Sequence, residues 1–347
     1  MTIAIEDLDH PPPAEPGREP DELGIALLGC GTVGSALVRQ LVRESERLAS
    51  RVQAKPVLRA IAVRHLDKPR PKWVPHDLLT DDPAAAVDRE DVDVVVEVIG
   101  GLDPAGGLLD LALARGKQVV TANKELLARR WRCLGSAATG PRPRIRFEAA
   151  VMAGVPVVAP LAGLAASDRI LSLEAILNGT ANYCLHRMEE DRLDLAEVLE
   201  EAEQLGFTEP DPTTDLDGRD AAAKLALLAS LAFGSTVGIE DVVTSGIEGV
   251  TAADLVAARA RGSVLRLLAG AWRDGDGILA RVSPRWVPAG HPLAAVTDHH
   301  NGLVVSAELA GALLFQGPGA GGDSTASAIL SDLVRAANVL QSERSKS

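Results

Sequence analysis

The 347-residue chain predicts an α/β fold, with a doubly wound parallel sheet first and an α+β domain after it. Three observations carry this. The run GIALLGCGTVGSALVRQL, Gly24 to Leu41, reads as strand, glycine-rich turn and helix. Apolar runs then alternate with helical patterns, as in parallel strands joined by crossover helices. Near Arg142 that character changes. At 46% hydrophobic and 24% charged residues, the composition is that of a globular protein, and the length suits two domains.

Residues 1–22, MTIAIEDLDHPPPAEPGREPDE, are acidic and proline-rich and lack the basic and apolar parts of a secretion signal. They are expected to be disordered. The first strand, Ile25 to Leu28, runs into Gly29-Cys30-Gly31-Thr32-Val33-Gly34, and Leu37, Val38 and Leu41 share one face of the helix that follows. The turn matches G-x-G-x-x-G in the context that gives the motif meaning. Gly29 allows the tight turn, Gly31 admits a pyrophosphate to the backbone, and Gly34 lets helix and strand pack. The helix N-terminus offers free N–H groups to phosphates. This is a Rossmann-type dinucleotide site that takes in Thr32 and Val33; a tight βα turn without ligand is the alternative.

The second strand, Pro56 to Val63, ends at Arg64. An acid there reads the ribose hydroxyl of NAD, whereas Arg accommodates the 2′-phosphate of NADP. Arg64, with Lys68 and Arg70 nearby and no acid before Asp67, favours NADP over NAD; a solvated basic loop is the alternative. The third strand, Val92 to Gly100, is apolar almost throughout, as a buried parallel strand is. Gly100-Gly101 turns into a helix from Pro104 to Arg115, and a strand from Gln118 to Ala122 leads through Asn123-Lys124 into another helix. Lys124 thus sits at the carboxyl edge of the sheet, where ligands bind, unless it is simply a lysine on the first turn of a surface helix.

Beyond Arg142 the sequence predicts a strand over IRFEAAV, a helix from Val158 to Ala165, a strand over ILSLEAIL ending at Asn178-Gly179-Thr180, and helices over 181–190 and 195–205. The loop TEPDPTTDLDGRD, 208–220, is dense in carboxylates and suits a metal or an ammonium group. Asp217 and Asp220 also have the spacing of a helix cap, and Asp220 with Lys224 that of an ordinary helix ion pair. Yet Lys224 lies among Ala and Leu in AAAKLALLASLAFG, where a lysine is costly unless paired or functional. Glu148 precedes a Gly-Val-Pro turn; it reads either as an exposed strand position or as a metal ligand with turn carbonyls completing an oxygen site. A last glycine turn, GPGAGGDSTASAIL, enters the closing helix.

A net charge of −13 argues against nucleic acid or anionic membranes as partners. No apolar run reaches membrane-spanning length. Cys30, Cys133 and Cys184 are too few and too dispersed for a disulfide framework or a zinc site, and a cytoplasmic location is expected. Cys30 reads as a small filler, and the seven histidines are scattered.

Together the glycine turn, VVEVIGG, VVTANKELLA, FEAAVMAGVP, ILNGTANYCL, LGFTEPDPTTDLDGRDAAAKL and GPGAGGDSTASAILSDL resemble the homoserine dehydrogenase family from Leu23 to about Ala337. The resemblance implies NAD(P)H-dependent reduction of L-aspartate 4-semialdehyde to L-homoserine, on the route to threonine and methionine. It carries the family's active-site lysines onto Lys124 and Lys224, and its substrate-binding acids onto Glu209, Asp215 and Asp220. The NGT turn falls on Asn178, Gly179 and Thr180. A monovalent cation, Na⁺ or K⁺, is implied at Glu148, Val151, Ala153 and Val155, and a late cofactor-facing glycine at Gly319. Gly100 and Lys124 join the cofactor set. Proton delivery is implied for Lys224 with Asp220 and a bound water, or for Lys124. The resemblance also implies a homodimer through the central domain.

The expected boundaries are 23–150 for the cofactor domain, 151–310 for substrate and dimer contacts, and 311–347 returning to the cofactor domain. Met152 stands where the family has glycine, Phe207 where it has tyrosine, and Cys184 where it has an apolar branched residue. The chain ends soon after the closing helix, so inhibition by threonine through a sensing domain is not expected. Another NADP-dependent semialdehyde oxidoreductase and a non-catalytic NADP-binding regulator are the rivals. The first is disfavoured in its catalytic-cysteine form by the lack of a placed cysteine, the second by the retained lysines and acids.

Overall fold

The computed structural model describes residues 21–52, 54–140, 142–204, 212–275 and 277–345. The tail up to residue 20, Phe207 and Glu209 lie outside the described residues. The first sheet holds β1 (Asp21–Leu28), β2 (Ala54–Ala62), β3 (Leu79–Thr80), β4 (Val94–Glu97), β5 (Gln118–Thr121) and β6 (Ile145–Arg146). All are parallel, in the order β3-β2-β1-β4-β5-β6. Helices α1 (Thr32–Arg43), α2 (Ser45–Val52), α3 (Pro83–Asp88), α4 (Ala105–Ala114) and α5 (Lys124–Thr139) connect them. The order reverses between β1 and β4, which opens a ligand crevice at their carboxyl ends. Two boundaries differ from expectation. Asp21 and Glu22 belong to β1, in register with Ala54 and Lys55, not to the tail. The strand expected over 145–151 stops at Arg146, and Glu148 to Ala150 form a 3-10 turn.

The second unit runs through α6 (Val158–Ser167), β7 (Ile170–Ile176), α7 (Gly179–Asp191), α8 (Leu195–Gln204), α9 (Thr213–Leu216), α10 (Arg219–Phe233), β8 (Val242–Thr244), α11 (Ala252–Ala260), β9 (Ser263–Asp274), β10 (Gly277–Pro288), β11 (His300–Ala307) and β12 (Gly311–Pro318). Its sheet has the order β12-β11-β7-β9-β10-β8, antiparallel apart from the β10–β8 pair. Most of it lies in 235–316, for which the sequence predicts no element. The reason is visible in β9, whose residues 265–271 are buried without interruption, so the two-residue alternation that marks a half-exposed strand is missing.

One face of this sheet, with Leu173, Ala175, Leu267, Ala269, Leu303 and Val305, packs into a common core with α10, in which every residue from Ala221 to Phe233 is buried. The opposite face is partly open. Its strand register aligns Leu314, Val304, Glu174, Gly270, Arg281 and Val243 in one row across all six strands, and Leu314 and Val243 are exposed.

Helix α12 (Gly322–Arg344) returns to the first sheet, packing Ala326, Ile329, Leu333 and Ala336 with Ile25, Leu27, Leu37 and Val38. Because β12 belongs to the second sheet, that return begins after Pro318, not at residue 311.

Candidate active site

The glycine turn does what its spacing predicts. Gly29 takes φ +102°, and a Cβ on it would lie 2.8 Å from the Val98 carbonyl. A Cβ on Gly34 would run into the Gly29 carbonyl, whereas one on Gly31 would meet nothing within 4 Å. Two glycines therefore serve close packing, and the third leaves open space above the turn. Thr32 is exposed and Val33 half-buried at the start of α1, whose first turn has no side-chain cap. Its N–H groups remain available to an anion.

Gly100, with φ +77°, also faces open space. Its position is set by Glu97, a fully buried residue that sequence reasoning missed. The Glu97 carboxylate accepts from the N–H groups of Ile99 (2.8 Å) and Gly100 (3.0 Å) and from the Thr121 hydroxyl (2.5 Å). Across the crevice mouth Arg64 is exposed at the end of β2. Arg70 donates to the carbonyls of His65, Leu66 and Lys68, and so fixes the loop that carries the basic side chains.

On the substrate side, Asn178 caps α7 by accepting from the Ala181 N–H (2.7 Å). Its amide N–H donates to Asp215 (2.7 Å) and Asp220 (2.9 Å). One turn along α10, the Lys224 ammonium donates to Asp220 and to the Leu177 carbonyl, each at 2.8 Å. Lys124, reaching across from the first turn of α5, lies 3.1 Å from the other Asp220 oxygen. Its neighbour Asn123 positions it, capping α5 and donating to the Gly101 carbonyl at 2.7 Å. The structure thus brings Lys124, Lys224, Asp215, Asp220, Asn178 and Gly179-Thr180 together.

The Asp220–Lys224 side chains are 8% and 11% exposed, so they do not form a surface helix pair. Burial alone would push Asp220 up, but the two lysines outweigh it and hold the carboxyl below the usual carboxylate range. Asp220 in turn holds Lys124 above the usual lysine range. Burial, reinforced by Asp220, raises Asp215. Asp217 plays no part here: the cap of α10 is Gly218, and Asp217 accepts from the Arg219 N–H at 2.9 Å. The Cys184 thiol is pushed up to about 12 by burial, which leaves it inert.

The Glu148 carboxylate, 1% exposed, has another employment than the one expected of a ligand. It accepts from the N–H groups of Val157 (2.6 Å), Val158 (2.7 Å) and Ala159 (3.1 Å) at the start of α6, and from Arg335 (3.1 Å). Four donors saturate its oxygens. The carbonyls of Val151, Ala153 and Val155 accept no hydrogen bond among the described residues, and Met152 is buried in the core. Ala153, at φ +45°, holds a left-handed conformation.

A dinucleotide crevice beside a buried lysine–carboxylate set defines a nicotinamide-dependent oxidoreductase. Comparison with known proteins narrows the class. The family model "Homoserine dehydrogenase, NAD binding domain" matches residues 29–148, and "Homoserine dehydrogenase" matches 156–334. A homoserine dehydrogenase of Corynebacterium glutamicum is 45% identical over 94% of this chain and 74% of its own length. One from Mycobacterium tuberculosis is 47% identical over 93% of this chain and 74% of its own length. The crystal structure of a homoserine dehydrogenase from Thiobacillus denitrificans superposes with a TM-score of 0.88 at 37% identity, covering 93% of this chain and 75% of that one. A hyperthermophilic archaeal homoserine dehydrogenase in complex with NADPH gives 0.75 at 27%, covering 91% and 97%. The chain belongs to the homoserine dehydrogenase family. It is an oxidoreductase that reduces L-aspartate 4-semialdehyde to L-homoserine with a nicotinamide cofactor, in threonine and methionine biosynthesis. Among the described residues no helix is long and apolar enough to cross a membrane.

Proposed function

We propose that Lys224 and Asp220 form the proton-transfer unit of this reduction, with Lys124 completing it from the cofactor domain. The observation that carries this is the single carboxylate shared by two lysines from the two domains, at 2.8 and 3.1 Å. Bound at the glycine turn, the dinucleotide supplies the hydride. The chain's own residues stabilise and protonate the developing alkoxide, either from Lys224, directly or through a water held with Asp220, or from Lys124. Asp215 and Glu209 hold the substrate ammonium, with Gly179 and Thr180 forming the adjoining turn. A lysine takes its carboxylate.

The cofactor reading extends to NADP(H) rather than NAD(H), supported by Arg64 and by the relative whose structure contains NADPH. Gly29, Gly31, Thr32, Val33, Gly34, Gly100, Lys124 and Gly319 form its remaining surroundings. The unclaimed carbonyls of Val151, Ala153 and Val155 fit Na⁺ or K⁺. With its oxygens engaged by α6 and Arg335, Glu148 would act from behind that turn. The open sheet face, with Leu314 and Val243 exposed, supports a homodimer, and a cytoplasmic location completes the reading.

Three experiments test this. Lys224→Ala is expected to keep NADPH affinity and, like Lys124→Ala, to lose at least about a hundredfold in turnover; near-normal turnover in Lys224→Ala overturns its role. Arg64→Asp is expected to move the ratio of kcat/KM for NADPH over NADH toward NADH, and a wild-type enzyme that prefers NADH refutes the cofactor reading. Light scattering of Leu314→Arg is expected to show a monomer where the parent is a dimer; a parent that is monomeric at micromolar concentration refutes the assembly.

A further inference from the structure

Asn301, the second residue of β11, is fully buried. Its amide N–H donates to the Leu177 carbonyl at 3.3 Å, the same carbonyl that accepts from Lys224 at 2.8 Å. The flat face of the amide lies against Gly319, so close that a Cβ on that glycine would run into the Asn301 side chain. The Asn301 amide oxygen is buried and has no donor among the described residues. A buried acceptor without a donor opposes folding, so fold stability gives no reason for an amide here.

The segment leading into Asn301 is itself held from the substrate side. Asn182 of α7, also fully buried, donates to the carbonyls of Val296 (3.2 Å) and Asp298 (3.0 Å). This brings the His299 carbonyl against Gly179, where a Cβ would meet it at 2.7 Å.

We propose that Asn301 is a positioning residue for hydride transfer, its amide fixing the Leu177 carbonyl that orients Lys224 on one side and seating the Gly319 backbone on the other. It touches neither the substrate nor a reacting atom. It acts through Lys224 and through the loop that faces the cofactor, and so sets the two halves of the reaction at one separation. The charged groups around Lys224 are Asp220 on its own helix, Asp215 on α9 and Lys124 on α5; none of them contacts Asn301. The same contact accounts for glycine at 319: a side chain there has no room while the amide is present.

The proposal rests on the role given to Lys224, so Lys224→Ala is the control. Asn301→Ala is expected to leave the melting temperature of the dimer and the NADPH dissociation constant close to wild type. It should lower kcat by up to about a hundredfold, the scale of a group misplaced by about 1 Å, and raise the primary isotope effect with 4-deuterated NADPH as the hydride step becomes limiting. Asn301→Leu keeps the side-chain volume, removes the donor to Leu177 without adding a charge and should behave alike; it carries the test where the alanine variant does not fold. Gly319→Ala should weaken NADPH binding, and Asn301→Ala/Gly319→Ala should recover it, since removing the amide makes room for the added methyl. Wild-type kcat and isotope effect in Asn301→Ala or Asn301→Leu, with Lys224→Ala crippled, overturn the proposal. So does a Gly319→Ala defect that the double variant fails to relieve. An active Lys224→Ala instead refutes the assignment of the lysine.

Discussion

Replacing Asp220 by Asn keeps the shape of the side chain and removes the charge that two lysines share. Lys224, 9% exposed, then keeps the Leu177 carbonyl but has no directly paired counter-charge, only the field of Asp215. Lys124, whose side chain is 40% exposed, can rehydrate, so the loss falls mainly on Lys224. Breaking a buried ion pair from one side costs about 3–5 kcal/mol, against about 0.3–0.5 kcal/mol for an exposed helix pair. At about 2–4 °C per kcal/mol for a unit of this size, the lower bound corresponds to a fall of about 6–12 °C. Thermal melting with and without NADPH measures it, and turnover should fall at least about a hundredfold in parallel.

The pH dependence has a definite sign. In the folded protein Asp220 is held below its ordinary range, so its contribution is fully present above the unfolded value of about 3.9 and is lost as pH falls through the native one. The deficit of Asp220→Asn should be complete at neutral pH and shrink in acid. A melting point within about 1 °C of wild type would put the pair in the surface class and refute the burial argument.

Other outcomes follow from the same geometry. Burial pushes the Asp332 carboxyl up to about 7, with the Glu148 carboxylate adding to the rise and the Glu148 N–H, Arg335 and Arg146 opposing it. A raised native value means that stability declines as pH rises from the ordinary carboxylate range through about 7. The stability of Asp332→Asn relative to wild type should therefore improve between pH 5 and 8, as read by melting at each pH, and a constant difference refutes it. Gly31→Ala and Gly34→Ala separate binding from packing. The first should weaken NADPH binding at unchanged melting temperature, because its Cβ enters open space; the second should lower the melting temperature, because its Cβ meets the Gly29 carbonyl. Equal melting points in the two variants refute that division.

Much of the cofactor half is legible in sequence because its signals are local. Gly29, Gly31 and Gly34 fall within six residues, and β4 and β5 are short apolar runs between helices. The lysine on an apolar helix was also readable, since Lys224 is costly among Ala and Leu without a partner. The contacts that join the site were not. Lys224 also meets the Leu177 carbonyl, and Asp220 also meets Asn178 and Lys124; these groups come from the end of β7 and from another domain. Glu97 hid inside VVEVIGG because an acid in an apolar strand gives no sign of the turn N–H groups it will meet. Glu148 reads as a ligand or an exposed acid until α6 folds against it. Sheet residues such as Arg266 and Asn301 gave no pattern, since β9 and β11 are buried on both faces.

The cofactor domain is assembled from both ends of the described chain. Arg39 of α1 pairs with Asp323 of α12 across 284 residues of sequence, and α12 supplies the apolar cover for β1 and α1. During synthesis at about 5–20 residues per second, Ile25, Leu27, Leu37 and Val38 wait about 15–60 s for that cover. Closing so long a loop costs little more than closing a shorter one, so the delay is kinetic. Meanwhile the nascent domain presents a sticky, helix-shaped groove. A peptide carrying 322–344, supplied in trans to a chain ending at Pro318, should occupy that groove and suppress aggregation of the truncated protein. The second sheet has all its strands by Pro318, so the last strand of the later unit is made before the last helix of the unit begun first.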